Sequence, residues 1–333
     1  MSRIQDNRLF ADLIARTGPV VHLRDADTAG VSRDLLRRVE GRGDALRVGK
    51  AAFVGREAWD AANEWTRFGF RSIGFALGIG SDNYLTGAAS ALLHGIPRLS
   101  GPPALPTAVR PGDAHRAPVR SVHGRVRWGH LPLTHRMTRQ RVGVVSPAYT
   151  VIDIARHDGP LAGLVAADFT AHEGLHPEIP SHLVTQMRCY PGISHATWAL
   201  EHADPRCESP LETLGRYAFI TAGRTVPLSN VWIVDGSAVR RVDHLIPEYG
   251  IVLEGDGDLK YNNRPDAAAI ITDEKARERW LRSLGFIVIR YTYQIARYHP
   301  ERLLAEVDRE IRNRRGQPVP SCWSMDPPWA MAG

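Results

Sequence analysis

The chain has 333 residues, 43% hydrophobic and 23% charged, with 42 Lys and Arg against 36 Asp and Glu and a sequence pI near 9.5. That length exceeds what one core usually serves, so two or three domains are expected, and the composition is that of a globular chain. With no long apolar run, a first stretch too polar for a signal peptide, and three scattered cysteines (Cys189, Cys207, Cys322), a membrane span, a disulfide framework and a CxxC zinc site are excluded. The expectation is a cytoplasmic protein whose basic excess suits a polyanion, nucleic acid first.

Residues 1–58 read as a small helical DNA-binding unit. Leu9, Phe10, Leu13 and Ile14 share one helical face, and residues 24–29 suit a second short helix. Gly30-Val31-Ser32 then leads into RDLLRRVEGRG, with Ser32 as N-cap and Val31, Leu35, Leu36 and Val39 as the buried stripe. The following LRVGKAAFV places a Gly-Lys turn between β-prone residues. Helix, helix, basic helix and hairpin together predict an N-terminal winged helix-turn-helix with residues 32–40 as recognition helix. Ser32, Arg33, Arg37, Arg38 and Lys50 are the expected contacts to double-stranded DNA, mainly to phosphate, because basic residues alone imply no base code. The competing reading is a solvated basic face.

Residues 59–205 read as a mixed middle domain. A helix ends at His94-Gly95, a Pro- and Gly-rich loop runs from Pro97 to Pro118, and strands occupy residues 119–145. Ser146-Pro147 opens a helix as N-cap and N1, and further helices are expected over 161–173, 178–187 and 194–202. His94 is expected to be a structural hydrogen-bond partner. No segment here carries a catalytic constellation.

Residues 206–316 order as α-β-β-β-α-β-α, a mixed α/β sandwich. Ser209, Pro210 and Glu212 make N-cap, N1 and N3 of a capping box, which is a structural reason for Glu212; Glu208 and Glu212, four apart, also suit leaning toward a neighbouring hairpin. That hairpin, RVDHLIPEYGIVLEGDGDLKY from Arg241, turns at Pro247-Glu248-Tyr249-Gly250. Such a turn pairs Leu245 with Val252 and Asp243 with Glu254, their Cβ atoms roughly 4.5–5.5 Å apart, and puts Asp256 on the face of Glu254. Carboxylates this close raise one another's pKa unless a hard cation such as Mg²⁺ lies between them, so Asp243, Glu254 and Asp256 read as metal ligands. Alternatively each acid pairs with an arginine, Arg240 and Arg241 being at hand. The Pro-rich tail, residues 317–333, is expected to be disordered, with Trp323 and Trp329 able to dock.

SPLE, RVDHLIPEYGIVLEGDG, a charged helix and GFIVIRYTY together resemble the restriction-endonuclease-like PD-(D/E)XK superfamily, in its branch related to the very-short-patch repair endonucleases, whose pattern runs S-P-x-E, V-D, E-x-D-G and G-x-x-V-x-R. The upstream part is similar to proteins of AbiEi-like antitoxin architecture, with a middle domain carrying S-x-A-x-L-H-G-x-P and S-P-x-x-T-x-x-D-x-A-R; Ser90 to Pro97 and Ser146 to Arg156 approximate those stretches. The resemblance implies that Asp243 and Glu254 bind Mg²⁺ or Mn²⁺ and that Glu212 completes the site. The superfamily's lysine, two residues after the second acid, is Asp256 here, leaving Lys260 to steady the attacking water or the phosphate. What it implies is a Mg²⁺-dependent DNA endonuclease in a defence or toxin–antitoxin setting. The alternative is a non-catalytic DNA-binding repressor or antitoxin with a degenerate nuclease domain; a membrane is not among the partners, and a protein partner or homodimer is left open.

Overall fold

The structure, a computed structural model, describes residues 2–256, 267–327 and 329, the side chains of 267–273 excepted, so Lys260 lies outside the described residues. The chain is mixed α/β with three sheets and divides into two compact units, Met1–Ala166 with Leu175–Glu201, and Ala167–Gly174 with His202–Gly333.

The first unit opens with α1 (Arg3–Thr17), capped by the Ser2 side chain. β1 (Val20–His22), α2 (Leu23–Thr28), α3 (Asp34–Gly41), β2 (Ala45–Gly49) and β3 (Ala52–Gly55) follow, the strands forming an antiparallel sheet in the order β1-β3-β2. Leu35, Leu36 and Val39 are fully buried, which is the stripe that helical spacing predicts. β1 was not expected: three residues are too few to show a period, and the strand exists because Val20 and His22 pair with Val54 and Ala52.

α4 (Arg56–Ala61) leads to α5 (Glu64–Ile79), which the Asn63 side chain caps. Its Phe68, Ile73 and Phe75 join Val48 and Val54 with Leu85, Ala108, Val126 and Val144 in one cluster, so residues 1–58 and those that follow share a core. The backbones meet closely at Gly49 and Gly74: a Cβ on Gly49 would lie 2.2 Å from the Gly74 carbonyl oxygen.

Next come β4 (Tyr84–Thr86), α6 (Ala88–His94), β5 (Thr107–Pro111), β6 (Val119–Ser121), β7 (Gly124–Gly129), β8 (Arg136–Arg139) and β9 (Val142–Val145). They build a mixed sheet, β6-β7-β5-β4-β9-β8. α7 (Pro147–Asp158), α8 (Pro160–His172), α9 (Glu178–Gln186) and α10 (Ile193–Glu201) complete the run. The polar residues of the two middle-domain stretches hold these elements together. Ser146 caps α7 and meets His135 Nδ1 at 2.7 Å, Thr150 donates to Ser90 (2.9 Å), His94 Nε2 donates to the Val145 carbonyl (2.7 Å), and Thr86 donates to Asp153 (2.7 Å).

The second unit contains α11 (Pro210–Thr221), β10 (Leu228–Asp235), β11 (Ala238–Ile246), β12 (Ile251–Asp256), α12 (Ala267–Ser283), β13 (Ile287–Thr292), α13 (Tyr293–Tyr298), α14 (Pro300–Asn313) and β14 (Trp323–Ser324). Its sheet runs β13-β12-β11-β10-β14. Only β12 and β13 are parallel, and α12 provides the crossover that a parallel pair needs. The tail differs from the disorder expected of it: Trp323 and Ser324 pair with Ile233 and Trp232, and the Trp329 ring stands 4.9 Å from that of Trp232. It covers an edge of β10 that would otherwise be open, a role that Pro-rich composition does not announce. Among the described residues no helix is long and apolar enough to cross a membrane.

Replacing Gly49 by alanine forces the new methyl into backbone and is expected to lower stability by about 1–3 kcal/mol in urea unfolding. Gly41→Ala, with nothing within 4 Å, serves as the neutral or slightly stabilising control.

Candidate functional site

The hairpin of β11 and β12 has the register expected from its turn. Leu245 faces Val252, His244 faces Leu253, and the Gly250 amide closes the turn on the Pro247 carbonyl at 3.3 Å. Alternation fails at one point. Val242 and Leu245, three residues apart, enter the same core cluster with Val231 and Val252. The cause is Asn230, which takes φ 51° between the pairs Ser229–His244 and Val231–Val242 and so stands opposite Asp243. Asp243 therefore sits at a kink, where its Oδ2 accepts from the Gly255 amide at 2.8 Å.

Glu254 shares the face of Val252 and points to α12, where Arg277 pairs with its Oε2. It is only 8% exposed, and its Oε1 is buried without a hydrogen-bond partner. Burial, and then the charge of Asp243, pushes the Glu254 pKa up to about 7 against the attraction of Arg277. Asp256 is half-buried and bonded to Arg290 at 2.9 Å; Arg290 also lies 3.5 Å from Glu274 and from Glu278. The partners of these two acids are thus Arg277 and Arg290, while Arg241 pairs with Glu208 instead. Both arginines reach the acids through tertiary structure, one on the crossover helix and one on the parallel neighbour strand.

Glu212 is held as the capping box predicts. Its carboxylate accepts from Ser209 Oγ (2.7 Å), from the Glu208 amide (3.0 Å) and from Asn230 Nδ2 (2.7 Å). Burial raises its pKa, those bonds lower it and the charge of Asp243 raises it again, so Asp243 acts on both Glu212 and Glu254. α11 reaches the sheet because glycines meet it. A Cβ on Gly215 would lie 2.4 Å from Tyr291 Oη, and one on Gly255 2.9 Å from Leu211. His244, fully buried below, donates from Nε2 to the Glu212 carbonyl (3.1 Å), and burial pushes its pKa down to about 4. Among the described residues no three His, Cys, Asp or Glu side chains converge as a metal-binding group, so Asp256 does not join Asp243 and Glu254 in the triplet read from alternation. The kink at Asn230 and the pull of Arg290 are the reasons.

The expected DNA contacts of the first unit are mostly engaged within it. Arg33 makes two bonds to Asp27 (2.6 and 2.5 Å), and Arg38 makes two to Asp6 (3.0 and 2.8 Å). Asp6, buried in α1, also takes Arg42 at 2.9 Å, and the two guanidiniums hold its carboxyl well below the usual range. Arg38 is therefore a bridge from α3 to α1 rather than a free cation. The Ser32 hydroxyl accepts from the Asp34 amide (3.3 Å). Arg37, 74% exposed, meets only Asp34 at 3.3 Å, and Lys50 stands exposed in the turn after β2.

No family model matches the chain. Two proteins of Mycobacterium tuberculosis, the uncharacterized proteins MT2308 of strain CDC 1551 / Oshkosh and Rv2248 of strain H37Rv, are each 28% identical to it over 198 residues, covering 55% of this chain and 71% of theirs. The crystal structure of the Rv2827c protein from the same organism aligns with a TM-score of 0.37 and 14% identity over 69% of this chain and 85% of that one.

Glu254 gives a pH signature. Below its ordinary pKa of 4.5 it is protonated folded and unfolded alike; between there and about 7 only the unfolded chain ionises, so the wild type loses stability as pH rises through that window. In metal-free buffer the stability of Glu254→Gln relative to wild type is expected to rise by roughly 1–3 kcal/mol between about pH 5 and about pH 8, read by urea unfolding at each pH. A difference independent of pH contradicts a buried, elevated Glu254.

Proposed function

We propose that the second unit is a Mg²⁺- or Mn²⁺-dependent endonuclease core of the PD-(D/E)XK type, and that residues 1–58 act as a winged helix that brings it to duplex DNA. The observation that carries this reading is the buried, partnerless Oε1 of Glu254 beside the charge of Asp243. A hard cation relieves both the desolvation and the repulsion, and Mg²⁺ needs no protein cage, since one or two carboxylates with water and phosphate suffice. Asp243 and Glu254 are the residues that would hold it. When bound, the ion neutralises charge on phosphoryl oxygens and acidifies a coordinated water.

The remaining groups position and charge the site. Glu212, tied to Ser209 and Asn230, fixes the start of α11 beside Asp243, which makes it a positioning residue. The cation that the family's lysine supplies has two candidates. Lys260 is the one from sequence, and Arg290, the arginine of the G-x-x-V-x-R stretch, bonds to Asp256 at the position where that lysine would stand. On the first unit, Arg37 and Lys50 are the cations best exposed to meet a phosphate backbone.

One feature favours a second reading, a DNA-binding protein without catalysis: Arg277 and Arg290 occupy Glu254 and Asp256 as ion pairs. Supercoiled plasmid with Mg²⁺ separates the two readings. Nicking or linearisation is expected from the wild type, abolished by chelation and reduced at least about a hundredfold in the Asp243→Ala, Glu254→Ala double variant. Cleavage that is absent, or unchanged in the double variant, sinks the nuclease; salt-dependent retention of duplex DNA by both proteins then leaves the binding protein.

A further inference from the structure

We infer that the first unit carries a second ligand site, a recess around Arg98 that takes the phosphate group of a small phosphorylated molecule. The recess measures about 390 Å³ and lies among α6, α7 and strands β4, β5 and β7, with Thr86, Arg98, Ser100, Arg125, Arg127 and His157 on its walls. That volume falls in the range of small-molecule sites.

Arg98 carries the argument. Its side chain is 10% exposed, and Nη2 donates to Asp158 at 2.9 Å, yet Nε and Nη1 are buried without a partner among the described residues. Buried charged donors in folded proteins are almost always paired, because an unpaired one forfeits its water without compensation. Nε and Nη1 both lie free on one guanidinium, and a planar set of N–H donors of this kind matches the oxygens of a phosphate.

The surrounding charge agrees. Asp153, the buried acid of the recess, is already claimed by Thr86, Arg127 and Arg156, which stands 3.6 Å away, and Asp158 is claimed by Arg98 itself. Arg125 is exposed and makes no side-chain bond among the described residues. Three guanidiniums thus face two engaged carboxylates, which leaves a positive surplus in a polar recess. A second recess of about 400 Å³ shares Arg125, Arg127 and His157 and carries Trp128 and Tyr190, so a planar group attached to the phosphate has a surface to lie against. The depth of Arg98 favours a small molecule over a duplex backbone.

Calorimetric titration of the full chain with inorganic phosphate and with adenosine 5′-monophosphate, each against chloride at matched ionic strength, tests this. Saturable binding of at least one probe is expected, weakened by about tenfold or more in Arg98→Gln. Arg125→Gln, at an exposed position that folding does not depend on, is expected to weaken it several-fold with an unchanged circular dichroism spectrum. Tighter binding of the nucleotide assigns a role to the Trp128 side; equal binding assigns recognition to the phosphate alone, and both support the site. Absence of binding by both probes, or affinity unchanged in both variants, overturns it. Displacement of phosphate by duplex DNA in the wild type, lost in Arg98→Gln, overturns the small-molecule occupant in favour of nucleic acid.

Discussion

Taking Glu254 out of water beside Asp243 is the constraint on which the second unit turns. A buried carboxyl with one unbonded oxygen is tolerated only where the neighbours compensate, and the sheet supplies Arg277 from the crossover helix for that purpose. The same small region also needs Gly255 and Gly215, since any side chain there would drive α11 off the strands. Asn230 in turn breaks the alternation of β10 and β11 and bonds to Glu212. Kink, cap and close helix contact are one arrangement, in which three acids from two elements and a hairpin come under each other's charge.

In the first unit the same currency is spent differently. The basic residues that raise the pI are largely neutralised in place: Arg33 by Asp27, Arg38 and Arg42 by Asp6, Arg47 by Glu40. Net charge describes how the chain as a whole meets a polyanion, and it says little about which guanidinium is free to do so. The recess around Arg98 is the counterexample, because there a buried arginine keeps two donors unspent.

What was legible in the chain was mostly local. Ser146 and Ser209 cap the helices that their Pro and Glu neighbours announce, and the turn at residues 247–250 fixes the pairing of Leu245 with Val252. Short or uniformly buried elements were not legible. β1 has three residues, β14 has two and belongs to a Pro-rich tail, and α5 hides its amphipathic period because it is packed on several sides.

The candidate site divides along the same line. Composition, caps and spacing by themselves determined that Asp243, Glu254 and Glu212 lie on a hairpin and a capped helix of one mixed α/β unit, because turns, caps and side-chain periods are interactions within a few residues. Only the tertiary structure decided which cations answer those acids and whether alternation holds between them. Arg277 and Arg290 come from a helix and a parallel strand joined to the hairpin by long-range pairing, and the kink at Asp243 is imposed by Asn230 on the neighbouring strand. Partners that meet across a sheet leave no periodic trace in the segments they join.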